Sequence, residues 1–184
     1  MKFKAILLIT ILALAVSIAG CGSKGASLSD VNSAAPTADT GSSDATAADK
    51  SSSKTVMPKV SGSSSSKPKI TDASGDPPSN MMIKDIKKGT GKKAKEGDKV
   101  TVNYVGHNWS NNQEFDTSWG KKAFSFTLGK GEVIKGWDDG VKGMKVGGRR
   151  LLVIPPELGY GAQSQGSIPA NETLIFVVDL KKVS

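Results

Sequence analysis

Between residues 99 and 105, apolar Val100, Val102 and Tyr104 alternate with Thr101, Asn103 and Val105, the period-2 pattern of a strand with one buried face. Phe124, Phe126 and Leu128 repeat it around Ser125 and Thr127, until Gly129 and Gly131 break the run. A last long strand is predicted where Leu174, Phe176, Val178 and Leu180 alternate with Ile175, Val177 and Asp179. Residues 81–87 alternate loosely before the turn Gly89-Thr90-Gly91. Residues 150–154 form an aliphatic strand stopped by Pro155-Pro156, since proline cannot donate to a ladder. Only residues 134–141 have helical character, and Gly136 and Gly140 weaken it, so tertiary packing must hold that helix. Residues 108–112 read as a turn-rich loop, and residues 155–171 as a long loop around the Gly159-Tyr160-Gly161 corner, a length more often functional than idle. Several strands and one short helix predict an α+β domain over residues 81–184, an antiparallel sheet with the helix covering one face.

Upstream the pattern is different. Residues 1–20 combine a basic start (Lys2, Lys4) with an apolar run over 5–18, the layout of an export signal rather than of a membrane span. Ile18-Ala19-Gly20-Cys21 resembles the bacterial lipobox, where cleavage precedes a cysteine that then carries lipid. Cys21 is the sole cysteine, so no intramolecular disulfide can form, and lipidation explains its place. More than one acyl chain gives lasting attachment. Residues 21–80 are rich in Ser, Ala, Thr, Gly, Asp and Lys and have no aromatic residue, a composition expected to stay disordered. As a tether this stretch has an r.m.s. reach of roughly 40–45 Å. Val56, Met57 and Val60 are too few to argue for a hidden element there.

Charge changes the picture little. Of the formal +8, residues 80–184 carry +6, but their lysines are scattered without interleaved aromatics. That favours a solvated surface near an anionic membrane and no nucleic-acid partner. One histidine, His107, in a turn after a strand, one terminal cysteine and no Gly-x-Ser-x-Gly elbow argue against nucleophilic hydrolysis and against a usual zinc site.

What remains is a set of aromatics able to converge: Tyr104, Phe115, Phe124, Phe126, Trp137, Tyr160 and Phe176. The residues from Gly131 to Gly140 lead two aliphatics through a glycine into Trp137 and an acidic pair, as the floor of an apolar pocket would. Phe126 reads as core. The runs Val102-Asn103-Tyr104-Val105-Gly106, Glu114-Phe115-Asp116-Thr117-Ser118, Val133-Ile134-Lys135-Gly136-Trp137, Gly143-Met144-Lys145-Val146-Gly147, Tyr160-Gly161 and Ile168-Pro169-Ala170-Asn171 occur together in this order. In residues and spacing the 81–184 stretch resembles the FKBP-type peptidyl-prolyl cis-trans isomerases.

That resemblance implies a curved antiparallel sheet of five or six strands wrapped around one short helix. It implies a prolyl pocket lined by Tyr104, Phe115, Phe124, Val133, Trp137, Ile168 and Phe176, with Trp137 as its floor. The backbone N–H of Ile134 and the hydroxyl of Tyr160 would bond substrate carbonyls, and Asp116 would be the polar group at the edge. No metal or cofactor is implied. Partners would be proline-containing polypeptides, macrolide inhibitors and, through a lipidated Cys21, a membrane, with the protein a monomer in the cell envelope acting on exported clients. The alternative is a tethered proline-peptide binding module or holdase with little turnover. Two departures stand out. The loop between Tyr160 and Phe176 is one residue shorter than in the best-known members and carries Gln163-Ser164-Gln165-Gly166-Ser167, and Ala170 replaces a second proline. The segment 108–119, with Trp109 and Trp119, is expected to widen the apolar rim.

Overall fold

The structure, a computed structural model, describes residues 54–184. In chain order these hold strands β1 (Lys59–Ser61), β2 (Lys69–Thr71), β3 (Met82–Lys87), β4 (Lys99–Asn108), β5 (Glu114–Thr117) and β6 (Phe124–Thr127). Helix α1 (Lys135–Val141), β7 (Arg149–Ile154), a single 3-10 turn (Pro156–Leu158) and β8 (Leu174–Val183) complete them. No helix among the described residues is long and apolar enough to cross a membrane. The expected signal segment and Cys21 lie outside the described residues.

Six strands form one antiparallel sheet in the order β3-β7-β8-β4-β5, with β6 also on β4. The ten-residue β4 is its centre. One edge pairs along its length with β8. The other is shared, Lys99 to Val102 facing Thr127 to Phe124 of β6, and Val105 to His107 facing Thr117 to Glu114 of β5. Asn103 and Tyr104 fall at the break between the two. Register shifts at Thr101/Val102 and Gly106/His107 mark irregularities of the kind that bend a strand. The α+β sheet with one short helix is as the sequence predicts.

The inner face carries the main core: Val100, Val102, Phe126, Leu152, Ile154, Leu174, Phe176, Val178 and Leu180 pack with Trp137 and Val141 of α1. Two glycines bring the helix down onto β7. A Cβ on Gly136 would lie 2.5 Å from Ile154 Cγ2, and one on Gly140 would lie 2.8 Å from the Leu152 methyls. The helix contains two poor helix formers because close approach to the sheet requires them.

The outer face overturns one expectation. Residues 54–80, which composition assigns to a disordered tether, include the antiparallel pair β1 and β2 in register Val60↔Ile70. Ile70, with Met57, Val60 and Ala73 beside it, joins a second apolar cluster with Val105, Leu151, Val153, Ile175, Val177 and Trp109. The connecting turn is held by Arg149, itself 1% exposed. Its guanidinium donates to both oxygens of Asp179 (2.6 and 2.7 Å) and to the carbonyls of Ser63 (2.9 Å) and Ser66 (2.8 Å). A two-stranded hairpin is marginal alone, so this one is stabilised by the face it covers. Trp109 and Trp119 are a second correction. Both pack into this outer cluster, with Trp109 Nε1 donating to Gly75 O at 3.1 Å, and neither extends the pocket rim.

Candidate active site

The break on β4 is where the site forms. Tyr104 has no strand partner on that edge, and Thr117 and Ser118 replace the ladder: Ser118 Oγ accepts from Tyr104 N at 2.9 Å, while Thr117 Oγ1 and Ser118 N donate to Tyr104 O at 2.8 and 3.1 Å. Strand alternation sends Tyr104 to the inner face beside Val100 and Val102. β5 delivers Phe115 and Asp116 on one side of it, and β6 delivers Phe124 on the other.

All nine apolar positions expected in the pocket fall in the inner cluster. Val133, Trp137, Ile168 and Phe176 are buried members, and Tyr104, Phe115, Phe124, Ile134 and Tyr160 are partly buried against it. Trp137 is 4% exposed and lies beneath the rest. Four rings surround its indole, Tyr104 at 5.1 Å, Phe176 at 5.2 Å, Phe126 at 5.7 Å and Phe124 at 6.0 Å between centroids. All but the tilted Phe126 meet it edge to face, the geometry the ring quadrupoles prefer. The indole N–H has no hydrogen-bond partner among the described residues; aromatic faces are weak acceptors for such a group. Phe115 stands on Phe176 at 5.5 Å and 87°. It reaches that place because Gly106 has no side chain, since a Cβ there would lie 2.7 Å from both rings.

Polar atoms gather at the rim. The Tyr104 hydroxyl donates to Asp116 Oδ2, Thr117 N donates to Asp116 Oδ1 at 2.7 Å, and Lys121 Nζ lies 3.6 Å from that oxygen. Burial, then the bond to and the charge of Asp116, push the Tyr104 hydroxyl well above its ordinary value. Burial and then the Asp116 charge push Tyr160 upward as well. Both phenols are therefore protonated donors at neutral pH. Tyr104 spends its proton on Asp116, whereas the Tyr160 hydroxyl makes no hydrogen bond among the described residues. Tyr160 is set by the 3-10 turn before it, with Gly159 N and Gly161 N both donating to Pro156 O at 2.9 and 2.8 Å.

Ile134 precedes α1 with φ −59° and ψ 149°. Its carbonyl accepts from Trp137 N at 2.9 Å, and its own N–H has no partner among the described residues. Side chains that sequence reasoning passed over hold the approach to it. Asp138 accepts from Gly129 N (2.7 Å) and Gly131 N (3.1 Å), and Glu132 Oε2 accepts from Thr127 N (2.9 Å), a bond that lowers the Glu132 pKa. The signal available was an acidic residue directly after the glycine break, Glu132, and another directly after Trp137, Asp138. His107 is structural, its Nδ1 2.9 Å from Asn112 O.

This bowl of rings with two unpartnered donors at its edge has close counterparts. A family model described as FKBP-type peptidyl-prolyl cis-trans isomerase matches residues 90–181. The FK506-binding protein of Streptomyces anulatus is 52% identical over 112 residues, 59% of this chain and 90% of that one. The FK506-binding protein of Neisseria meningitidis serogroup A is 49% identical over 107 residues, 56% of this chain and 96% of that one. Among solved structures, AtFKBP13 is 36% identical with a TM-score of 0.54, covering 59% of this chain and 96% of its own. FkpA from Escherichia coli is 38% identical with a TM-score of 0.51 over 68% of this chain, which spans about half of FkpA's length (51%). Residues 59–71 of the outer hairpin precede the family match, while every predicted pocket position lies inside it, and the chain belongs to the FKBP-type peptidyl-prolyl cis-trans isomerase family.

Proposed function

We propose that the isomerase acts at the Trp137 bowl, with a prolyl ring resting on the indole and flanking substrate carbonyls accepting from Ile134 N–H and the Tyr160 hydroxyl. The observation that carries this is the pair of unpartnered donors beside a floor 4% exposed, under half-buried Tyr104, Phe115 and Phe124. An X–Pro bond turns slowly because rotation breaks amide resonance, most of a barrier of about 18–20 kcal/mol. The twisted amide has a less polarised carbonyl and needs water less. An apolar pocket shaped to it therefore stabilises the transition state above the planar ground state, at about tenfold in rate per 1.36 kcal/mol. Asp116 acts here by fixing the Tyr104 ring. No proton is transferred.

Peptide exchange spectroscopy on an X–Pro substrate tests the assignment. Tyr160→Phe is expected to lower kcat/KM about fivefold, the worth of one hydrogen bond of ~1 kcal/mol. A wild-type rate equal to buffer from folded protein sinks the catalytic assignment, and an unchanged Tyr160→Phe sinks the role of the hydroxyl.

The same reading extends to clients and place. The relatives named FK506-binding support macrolide competition at this bowl. The lipobox resemblance supports an isomerase held at a membrane through Cys21 and serving exported chains, with residues 22–53 as the tether. Mass spectrometry of the mature N-terminus is expected to find a diacylated or triacylated Cys21. An unmodified cysteine there would end the lipid-anchor proposal.

A further inference from the structure

Between the Tyr160 corner and β8 runs a loop that must be put in place as well as shaped. Its shape is internal. Gln165 and Ile168 exchange both backbone bonds at 2.9 Å around Gly166, whose φ of +59° suits a glycine, and Asn171 N donates to Gly161 O at 2.8 Å across the base. None of these bonds fixes where the loop sits against the sheet. Among the described residues one hydrogen bond ties residues 162–170 to another element: Asn108 Nδ2 donates to Ser167 O at 2.9 Å.

Asn108 is not in a turn, as its sequence context predicts, but is the last residue of β4, opposite Leu174 of β8 and 1% exposed. Its Oδ1 has no partner among the described residues. Its backbone N–H donates to Gln113 O at 3.0 Å, closing the 109–113 loop that leads into Glu114 and Phe115. One residue thus bonds to the loop that leads into Phe115 and to the loop that ends at β8, and Ser167 precedes Ile168, 5% exposed in the cluster with Trp137 and Phe176.

Burying a half-satisfied amide costs stability, because an unpaired oxygen loses its water without gaining a partner. Leucine has the same branched outline and would leave no polar atom unpaired beside Leu174, at the cost of the extra bulk of its methyls. The chain carries a locally unfavourable side chain whose one bond goes to the loop next to the pocket wall.

We propose that Asn108 is a positioning residue for the isomerase site, holding the 161–171 loop so that Ile168 closes the wall of the bowl. This rests on the assignment of the Trp137 bowl above. Positioning of a wall alters substrate binding more than the turning step, which the floor governs. The test compares the full chain with Asn108→Leu, the isosteric Asn108→Asp and, as control, Tyr160→Phe, by thermal melting, amide exchange of residues 162–168 and peptide exchange kinetics. Asn108→Leu is expected to melt near the wild-type temperature, the relief of the unpaired oxygen offsetting the added bulk, to exchange its loop amides faster, and to raise KM about fivefold with kcat within about twofold, since one hydrogen bond is lost. Asn108→Asp, which sets a carboxylate against the Ser167 carbonyl, is expected to raise KM by as much and also to melt lower. An unchanged KM in both variants overturns the proposal, as does a kcat that falls in step with stability, the mark of a merely structural role. Those outcomes leave the bowl assignment standing if the wild-type chain turns the X–Pro bond faster than buffer and Tyr160→Phe shows its fivefold loss; if the wild-type rate equals buffer, the bowl assignment and the proposal fall together.

Discussion

A chain beginning at residue 81 is expected to be less stable than one beginning at residue 54 by about 3 kcal/mol or more, which for a domain near 100 residues is a melting temperature lower by roughly 12 °C or more. The family match begins at residue 90, so homology alone would place a cut there without cost. The packing says otherwise. Val105, Leu151, Val153, Ile175 and Val177 are at most 1% exposed, and Ile70 at 3% is the central residue of their cover. Removing the hairpin returns that face to water at about 25 cal/mol per Å² of apolar area, an upper estimate offset in part by the freedom the hairpin regains. Arg149 sharpens the test. Within the longer chain Arg149→Met leaves Asp179, 4% exposed, without its bidentate partner and frees the Ser63 and Ser66 carbonyls, at a cost of about 3–5 kcal/mol. In the shorter chain water reaches Asp179, so the same substitution is expected to cost much less, and this coupling identifies the guanidinium as the clasp. Coincident urea midpoints for the two wild-type chains would show the hairpin to be a passenger.

The inner half of this fold was legible and the outer half was not, for a physical reason. Val100, Val102 and Tyr104, or Phe124 and Phe126, announce one buried face by alternation. Val105, Ile175, Val177, Leu151 and Val153 occupy the other parity and are equally apolar, which marks a sheet covered on both sides. The cover was hidden because it needs so little. A segment docking on a preformed apolar face spends one isoleucine and a few small side chains, and its serine-rich turn contributes backbone carbonyls rather than side-chain chemistry. Composition averaged over residues 21–80 cannot register that. Nor does spacing reveal that Arg149 and Asp179, directly paired between β7 and β8, share a face with Ser63 and Ser66. The pocket residues were recoverable because local runs carry them, and Trp109, directly after β4, and Trp119, two residues past β5, were misplaced because no local run shows that they pack with the outer cluster. Asn108 passed unnoticed for a related reason: a polar residue beside turn formers looks like loop until the ladder to Leu174 shows it to be strand.

Trp137 is where stability and function are most tightly joined, and two substitutions separate them. Trp137→Ala removes the indole about which Tyr104, Phe124, Phe126 and Phe176 are arranged, and is expected to cost about 3–5 kcal/mol. Measured below its lowered melting temperature, with the far-ultraviolet spectrum intact, it is expected to retain at most about one hundredth of kcat/KM, a loss of ~2.7 kcal/mol in the transition state. Trp137→Phe keeps a ring but shortens the floor, so the gap lies directly under the turning bond while most of the edge-to-face contacts survive. If the indole served only to fill the core, activity in this variant would follow the folded fraction and stay at the wild-type level wherever the protein is folded. If it is the surface that fits the twisted amide, kcat falls about tenfold in fully folded protein, because a missing van der Waals wall weakens the bound transition state without exposing the sheet. A folded Trp137→Phe chain at full activity would return the tryptophan to the role of core plug and move the catalytic surface to the rim, where Tyr160 and Ile134 N–H would have to account for the rate by themselves.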